Sequence, residues 1–164
     1  MSDFFDAASG VFGEEAFQQL LVREISRASR YNDFFSLCLA RPDGTGRAGT
    51  DEQLQQAVAR KIAQFLRSTD VVGHTRDGVV ILLLNTPYVD AVRIAERLRA
   101  HVETVRFPMD SGDASRQVTI SVGLVSFPGE GSTASGLLSR AKALLDEAVR
   151  GGGNRVAFST ENAH

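Results

Sequence analysis

Arginine and aspartate side chains three residues apart are the first groups in this sequence with a clear chemical use. Arg67 and Asp70 have this spacing, and so do Arg30 and Asp33. A guanidinium offers paired N–H donors to guanine O6 and N7 or to a phosphate, while a carboxylate accepts from guanine N1–H and its exocyclic amine. Because nearly all of the 18 basic residues are arginines, about one such spacing is expected from composition alone. The spacing permits a nucleotide site but does not require one.

Two other features have simple structural explanations. Cys38 is the only cysteine and lies in an apolar run, which predicts a buried thiol and no internal disulfide. Gly151-Gly152-Gly153 suggests a phosphate-binding loop, but no helix follows it. A helix stop is therefore the better interpretation of the three glycines.

The composition is that of an ordinary globular protein. The 164 residues suit one domain, and 43% hydrophobic with 23% charged residues is enough for a core. A net charge of -2 and a pI near 5.9 argue against a nucleic-acid polymer or an anionic membrane as the main partner. The sequence contains neither a long apolar segment nor the features of a signal peptide. We therefore expect a cytoplasmic protein without membrane contact.

The elements that must position these groups follow from hydrophobic periodicity. Apolar residues at helical spacing predict four helices, over residues 14–30, 54–66, 87–105 and 137–148. Thr50 or Asp51 can cap the second helix, and Thr86 can cap the third ahead of Pro87. Short apolar runs predict strands over residues 34–40, 70–74, 78–84, 118–127 and 155–158.

The order of these elements predicts an α/β chain. An Asp-Gly pair at 77–78 favours a hairpin, residues 118–127 have alternating character, and residues 43–49 and 108–114 form loops. Helices interleaved with single strands and one hairpin indicate a mixed sheet covered by helices on one or both faces. We assign residues 1–13 to a lead-in segment, 14–158 to the domain and 159–164 to a loose tail.

Several short segments match one known family in order and in spacing. They lie at residues 6–11, 27–31, 58–59, 66–72, 93–99, 118–123 and 152–156. Together they resemble the GGDEF domains, the diguanylate cyclases. The resemblance implies an α+β, nucleotidyl-cyclase-like fold with a central mixed five-stranded sheet, flanking helices and a β-hairpin at the active site. It also implies homodimers that use GTP and divalent metal ions to make cyclic di-GMP, a bacterial second messenger.

The metal ligands of this family are absent from the matching positions. Ala40 stands where the resemblance implies an aspartate at the end of the first strand. The signature falls on Arg76, Asp77, Gly78, Val79 and Val80, without a carboxylate at either acidic position. Asp43 and Asp77 are poor substitutes, because Mg²⁺ chemistry tolerates only small ligand displacements. We expect a degenerate domain with no catalytic residues, no metal or other cofactor, and no cyclase activity.

The family residues that contact GTP phosphates are replaced as well. Val149 and Gly153 stand at the positions of a lysine and an arginine, and the loop after the first strand is shortened. Asp51 or Glu52 is a candidate guanine contact, although an acid at the start of a helix has a simpler explanation in the helix dipole.

A regulatory, product-binding site of the family is matched instead. Its Arg-x-x-Asp falls on Arg67 and Asp70, and its further arginine falls on Arg97, so the resemblance implies cyclic di-GMP as the ligand. Arg97 can stack on a base or pair with a phosphate. The structural alternative is that Arg67 stabilises the negative end of its helix while Arg97 is solvated surface. Because all three residues fall at the positions of the family's regulatory site, we favour ligand binding over the structural alternative.

Two functions follow from this pattern. The first is a cyclic di-GMP receptor whose occupancy biases association with a second copy or with another protein. The second is a ligand-independent interaction domain, a scaffold. It predicts apolar surface around Val79, Val80 and the shortened loop.

Overall fold

The computed structural model describes residues 10–44, 52–108 and 115–159, and the proposed capping residues Thr50 and Asp51 lie outside these ranges. The described part contains four helices and seven strands. In chain order they are α1 (Glu14–Tyr31), β1 (Phe35–Pro42), α2 (Glu52–Phe65), β2 (Val71–Thr75), β3 (Gly78–Leu84), α3 (Tyr88–Thr104), β4 (Arg106–Pro108), β5 (Ser115–Gln117), β6 (Ile120–Phe127), α4 (Ala134–Arg150) and β7 (Arg155–Phe158).

The central sheet has five strands in the order β2-β3-β1-β6-β7. Strand β1 is antiparallel to both β3 and β6, whereas β7 runs parallel to β6. The mixed five-stranded sheet expected from the sequence is therefore confirmed. The predicted hairpin is confirmed too, since β2 and β3 pair antiparallel as far as Thr75 and Gly78.

Helices cover both faces of this sheet. Alternate side chains of β1 enter two separate cores: Leu37 and Leu39 pack with α1 and α4, and Cys38 and Ala40 pack with α2 and α3. A strand buried on both faces is expected to be mostly apolar, which explains the nearly unbroken apolar run in β1. Cys38 is only 1% exposed, so the predicted buried thiol is confirmed, and this burial raises the pKa of the thiol to about 12.

Two predictions about the strands need correction. The alternating pattern expected for residues 118–127 is wrong, because β6 is covered by helices on both faces and is buried almost throughout. The segment predicted as the loop 108–114 is flanked by two short strands, β4 and β5, which pair with each other in a separate two-stranded sheet. Residues 109–114 themselves lie outside the described ranges.

The capping role predicted for Thr86 is also wrong. Helix α3 begins at Tyr88, and its N-cap residue is Pro87, whose side chain makes no capping bond. The Thr86 hydroxyl instead donates to the Leu84 carbonyl oxygen at 2.8 Å. Thr86 is thereby turned toward the sheet rather than toward the first turn of the helix.

The helix stop predicted for the three glycines is confirmed. The Gly153 N–H donates to the Ala148 carbonyl at 2.9 Å, and the Gly152 N–H donates to the Val149 carbonyl at 3.1 Å. These two bonds satisfy the last carbonyl groups of α4 in the manner of a Schellman motif. Gly152 has φ +119°, a conformation that favours glycine.

The segment before α1 covers the exposed edge of β2. Phe12 forms a parallel bridge with Gly73, donating to the Val72 carbonyl at 2.8 Å and accepting from the His74 N–H at 2.9 Å. Val11 beside it is buried. Part of the sequence-assigned lead-in therefore pairs with the domain and satisfies an otherwise open strand edge. No helix within residues 10–44, 52–108 and 115–159 could cross a membrane.

Candidate functional site

Arg67 and Asp70 lie together in the tight turn that joins α2 to β2. The Asp70 N–H donates to the Arg67 carbonyl at 3.0 Å, which folds the chain so that both side chains point the same way. Arg67 then donates from Nε to Asp70 Oδ2 at 3.0 Å and from Nη2 to Oδ1 at 2.9 Å. The Asp70 side chain is only 1% exposed, whereas that of Arg67 is 55% exposed. A buried carboxylate thus orients an exposed guanidinium.

The remaining donors of Arg67 are unequally used. Nη2 also donates to Thr86 Oγ1 at 2.9 Å and to the Leu84 carbonyl oxygen at 3.3 Å. Nη1 makes no hydrogen bond to any residue that the structure describes. The bond to Asp70 raises the pKa of Arg67 above its ordinary value, so the group is charged. A guanine that accepts two hydrogen bonds from one edge of the Arg67 guanidinium must first break a bond from Arg67 to Asp70 or to Thr86. A guanine that donates to Asp70 must likewise break a bond between Asp70 and Arg67.

Arg97 lies on the exposed surface of α3, four residues before His101. The His101 ring stacks on the ring of Phe65, the last residue of α2, with 5.0 Å between ring centroids. Residues one turn apart share a helix face, so Arg97 lies on the side of α3 that borders the end of α2. Arg97 makes no hydrogen bond or ion pair with the described residues. Its guanidinium can be approached from solvent.

Arg99, two residues after Arg97 in α3, already has partners. Arg99 donates from Nη1 to Asn154 Oδ1 at 2.8 Å and from Nε to Glu96 at 3.0 Å, which ties α3 to the turn before β7. In the second Arg-x-x-Asp segment, Asp33 pairs with Arg27 at 2.8 Å. Of the two segments with this spacing, only that of Arg67 and Asp70 forms the pair expected from the sequence.

The hairpin that matches the family signature is at the opposite end of the sheet. Arg76 and Asp77 form a two-residue turn between β2 and β3, a five-residue strand away from Asp70, on the order of 15 Å. Ala40 pairs with Val79, and both are fully buried.

The apolar surface expected around the hairpin valines is wrong, and residues 45–51 of the shortened loop that was expected to share it lie outside the described ranges. Val79 packs into the core under α2 and α3, and Val80 packs into the core under α1 and α4. Neither side chain is exposed. Gly78 has φ +145°, and a Cβ at that position would collide with the Ala40 carbonyl oxygen, so the turn lies directly against β1.

Arg41 bridges the end of β1 and the hairpin turn. Its Nε and Nη2 both donate to the Asp77 carbonyl oxygen, each at 3.2 Å. A side-chain cation therefore occupies the position between these two elements. Within the described ranges, no three side chains of the types that bind metal ions are grouped together.

Asp43 has a structural function that its sequence position does not reveal. Its carboxylate accepts from Ser121 Oγ at 2.6 Å, from Thr119 Oγ1 at 2.7 Å and from the Asn154 N–H at 2.8 Å. These bonds connect the end of β1 to the start of β6 and to the turn after α4. The partners are 76 to 111 residues away in sequence, so no local pattern could have indicated them.

Two pockets flank the hairpin turn. One, of about 380 Å³, lies between α1 and α4. The other, of about 290 Å³, is bounded by α2 and the turn, with Glu52, the candidate guanine contact, at its edge beside His74 and Arg76. Burial, and secondarily the charge of Arg60, lowers the pKa of His74. Neither pocket is lined by Arg67, Asp70 or Arg97.

The fold and this arrangement can be compared with known proteins. The family model described as "Diguanylate cyclase, GGDEF domain" matches residues 3–155. The chain belongs to the GGDEF domain family. This GGDEF domain is 36% identical over 107 residues to the response regulator PleD of Caulobacter vibrioides, covering 65% of the chain and 23% of PleD. It thus spans about a quarter of the length of that relative.

Solved structures show the same GGDEF fold. Diguanylate cyclase SiaD from Pseudomonas aeruginosa, in complex with its activator SiaC, has a TM-score of 0.78 at 27% identity, covering 95% of this chain and 62% of SiaD. The GGDEF domain of DgcB from Caulobacter crescentus, in complex with c-di-GMP, has a TM-score of 0.78 at 19% identity, covering 96% and 94%. The second likeness concerns the fold alone.

Proposed function

We propose that this GGDEF domain is a catalytically inactive receptor that binds cyclic di-GMP through Arg67, Asp70 and Arg97. Ligand binding then changes its association with another protein or with a second copy. The observation that carries the proposal is the orientation of the exposed Arg67 guanidinium by a buried carboxylate. A guanidinium held in place loses less conformational entropy when it binds a guanine or a phosphate.

Arg97 supplies the second positive group. It is exposed, lies on the side of α3 next to the end of α2, and has no partner within the described ranges, unlike Arg99. Two guanidinium groups with accessible N–H donors suit a ligand that combines phosphates with guanine edges. The crystallised GGDEF domain of DgcB binds c-di-GMP, which provides a precedent for this ligand on the same fold.

The internal bonds of Arg67 reduce the affinity of such a site. A ligand that takes both N–H groups of one guanidinium edge must replace a bond to Asp70 or to Thr86. The net gain is then smaller than the sum of the new hydrogen bonds. We expect a dissociation constant in the micromolar range, which corresponds to about 8 kcal/mol.

The proposed inactivity rests on the residues at the hairpin end. Condensation of two GTP molecules into cyclic di-GMP, with release of two pyrophosphates, requires in this family carboxylates that hold Mg²⁺ against the phosphates. Here Ala40 and Val79 are buried apolar residues, and the three donors to Asp43 already engage its carboxylate. These residues do not fit a divalent cation. An assay with GTP and Mg²⁺ or Mn²⁺ should therefore yield no cyclic di-GMP, and measurable product would overturn this part of the proposal.

Calorimetric titration of cyclic di-GMP into the wild-type chain and into Arg67→Ala tests the receptor function. We expect saturable binding by the wild type and at least tenfold weaker binding by the variant. Absence of binding by the wild type, or equal binding by both, would reject it. The scaffold function loses its expected apolar surface at Val79 and Val80, and partner capture that is unaffected by the nucleotide would be its supporting result.

A further inference from the structure

We propose that Thr86 weakens ligand binding at this site by competing for the Arg67 guanidinium. This inference rests on the proposed receptor function and concerns its regulation: Thr86 sets how much ligand is needed to occupy the site. The sequence does not predict this role, since a threonine just before a helix is typical of an N-cap.

The Thr86 hydroxyl is placed to act as an acceptor for Arg67. Its hydrogen is directed to the Leu84 carbonyl oxygen, 2.8 Å away, which leaves the lone pairs of Oγ1 for Arg67 Nη2 at 2.9 Å. Thr86 is only 2% exposed. Little water can therefore replace this bond from the Thr86 side.

A hydrogen bond to the backbone of Thr86 also fixes its position. Its carbonyl oxygen accepts from Ser36 Oγ in β1 at 3.0 Å, and Ser36 Oγ is in turn 2.8 Å from Ser126 Oγ in β6. Ser36 is completely buried. Because these bonds anchor Thr86 to two central strands, it cannot follow Arg67 when a ligand displaces the guanidinium. The bond from Arg67 Nη2 to Thr86 must break instead.

The geometry of the guanidinium explains why this bond competes with guanine. One edge, formed by Nε and Nη2, is occupied by the Asp70 carboxylate. The other edge presents one N–H from Nη1 and one from Nη2, and Nη2 already donates to Thr86 Oγ1 at 2.9 Å and, at a longer 3.3 Å, to the Leu84 carbonyl oxygen. Bidentate contact with guanine O6 and N7 requires both donors of that edge. Removal of the Thr86 acceptor leaves Nη2 only the longer contact with the Leu84 carbonyl oxygen on this edge, so a ligand displaces less, while the Asp70 pair still orients the group.

Thr86→Val tests the inference because valine has nearly the same shape but no hydroxyl, and Thr86→Ser is the matched control that keeps it. In titrations with cyclic di-GMP, we expect Thr86→Val to bind about three- to tenfold more tightly than the wild type. Thr86→Ser should bind like the wild type. Unchanged or weaker binding by Thr86→Val would overturn the inference.

A second variant and a second readout separate this inference from the receptor proposal. If Arg67 mediates the gain, the double variant Arg67→Ala/Thr86→Val should not show it, and a gain that persists would contradict us. NMR of the arginine side-chain nitrogens reports on Thr86 without any ligand: rotation about the Arg67 Nε–Cζ bond should be faster in Thr86→Val. If no variant bound cyclic di-GMP, the receptor proposal would fail, while equal rotation rates would refute the Thr86 inference by itself.

Discussion

The carboxylate of Asp70 holds the guanidinium of Arg67 by two hydrogen bonds, of 3.0 Å to Nε and 2.9 Å to Nη2, although Asp70 is buried and Arg67 is mostly exposed. An ion pair with one exposed partner contributes little to stability. The value of this pair therefore lies in orientation, since it fixes the plane and direction of a long side chain that would otherwise sample many rotamers.

Asp70→Asn should weaken cyclic di-GMP binding about tenfold, because the remaining amide cannot hold both Arg67 nitrogens. The free energy of unfolding should fall by only about 1 kcal/mol, as measured by urea denaturation. Asp33→Asn is the matched control from the second Arg-x-x-Asp segment, where the aspartate pairs with Arg27. Its affinity for the ligand should be unchanged, and an equal loss in both variants would contradict the orienting role of Asp70.

Of the two aspartates at the hairpin end of the sheet, Asp43 rather than Asp77 should contribute to the stability of the fold. Asp43→Ala leaves Ser121 Oγ, Thr119 Oγ1 and the Asn154 N–H without their acceptor, and should lower the free energy of unfolding by about 3 kcal/mol. Asp77→Ala is the control at the same end, because the contacts of Asp77 are made by its backbone. It should change stability by less than about 0.5 kcal/mol. Similar losses in urea denaturation would refute this distinction.

His74 should make stability depend on pH below its ordinary pKa of 6.5. Burial, followed by the charge of Arg60, lowers the pKa of His74 in the folded chain. As the pH falls below 6.5, His74 binds a proton in the unfolded chain before it does so in the folded chain. The free energy of unfolding therefore decreases as the pH falls from 6.5 through the lower pKa of His74 in the folded chain. The window therefore opens near pH 6.5 and extends downward.

Urea midpoints at about pH 7.5 and about pH 5 measure this effect. His74→Gln should show a smaller decrease between the two pH values than the wild type. Arg60→Gln, which removes the secondary cause, should reduce the decrease slightly. An identical decrease in the wild type and His74→Gln would show that this histidine is not responsible.

The main helices and strands could be predicted from the sequence because each has its own local hydrophobic pattern. The apolar run of β1 and the helical spacing of α3 and α4 each report burial of a single element. The strands β4 and β5 could not be predicted, because three residues are too few to show a strand pattern in the sequence. They are recognised as strands only because they pair with each other.

The contacts within the site could be predicted only in part. The pairing of Arg67 with Asp70 follows from a three-residue spacing, so the sequence brings those two together. The cap predicted at Thr86 is wrong, and the structural role of Asp43 was not predicted, because their partners lie far along the chain: Arg67 is 19 residues from Thr86, and Ser121 is 78 residues from Asp43. A threonine before a helix looks like a cap, and only the fold shows that its hydroxyl faces an arginine.

The receptor account is tested most directly by comparing two neighbouring arginines of α3. Arg97 has no partner in the described structure, whereas Arg99 is committed to Glu96 and Asn154. Calorimetric titration of cyclic di-GMP should show saturable binding by the wild type, a loss of at least tenfold in Arg97→Ala and little change in Arg99→Ala. No binding by the wild type, or the same affinity in Arg97→Ala as in Arg99→Ala, would contradict the account.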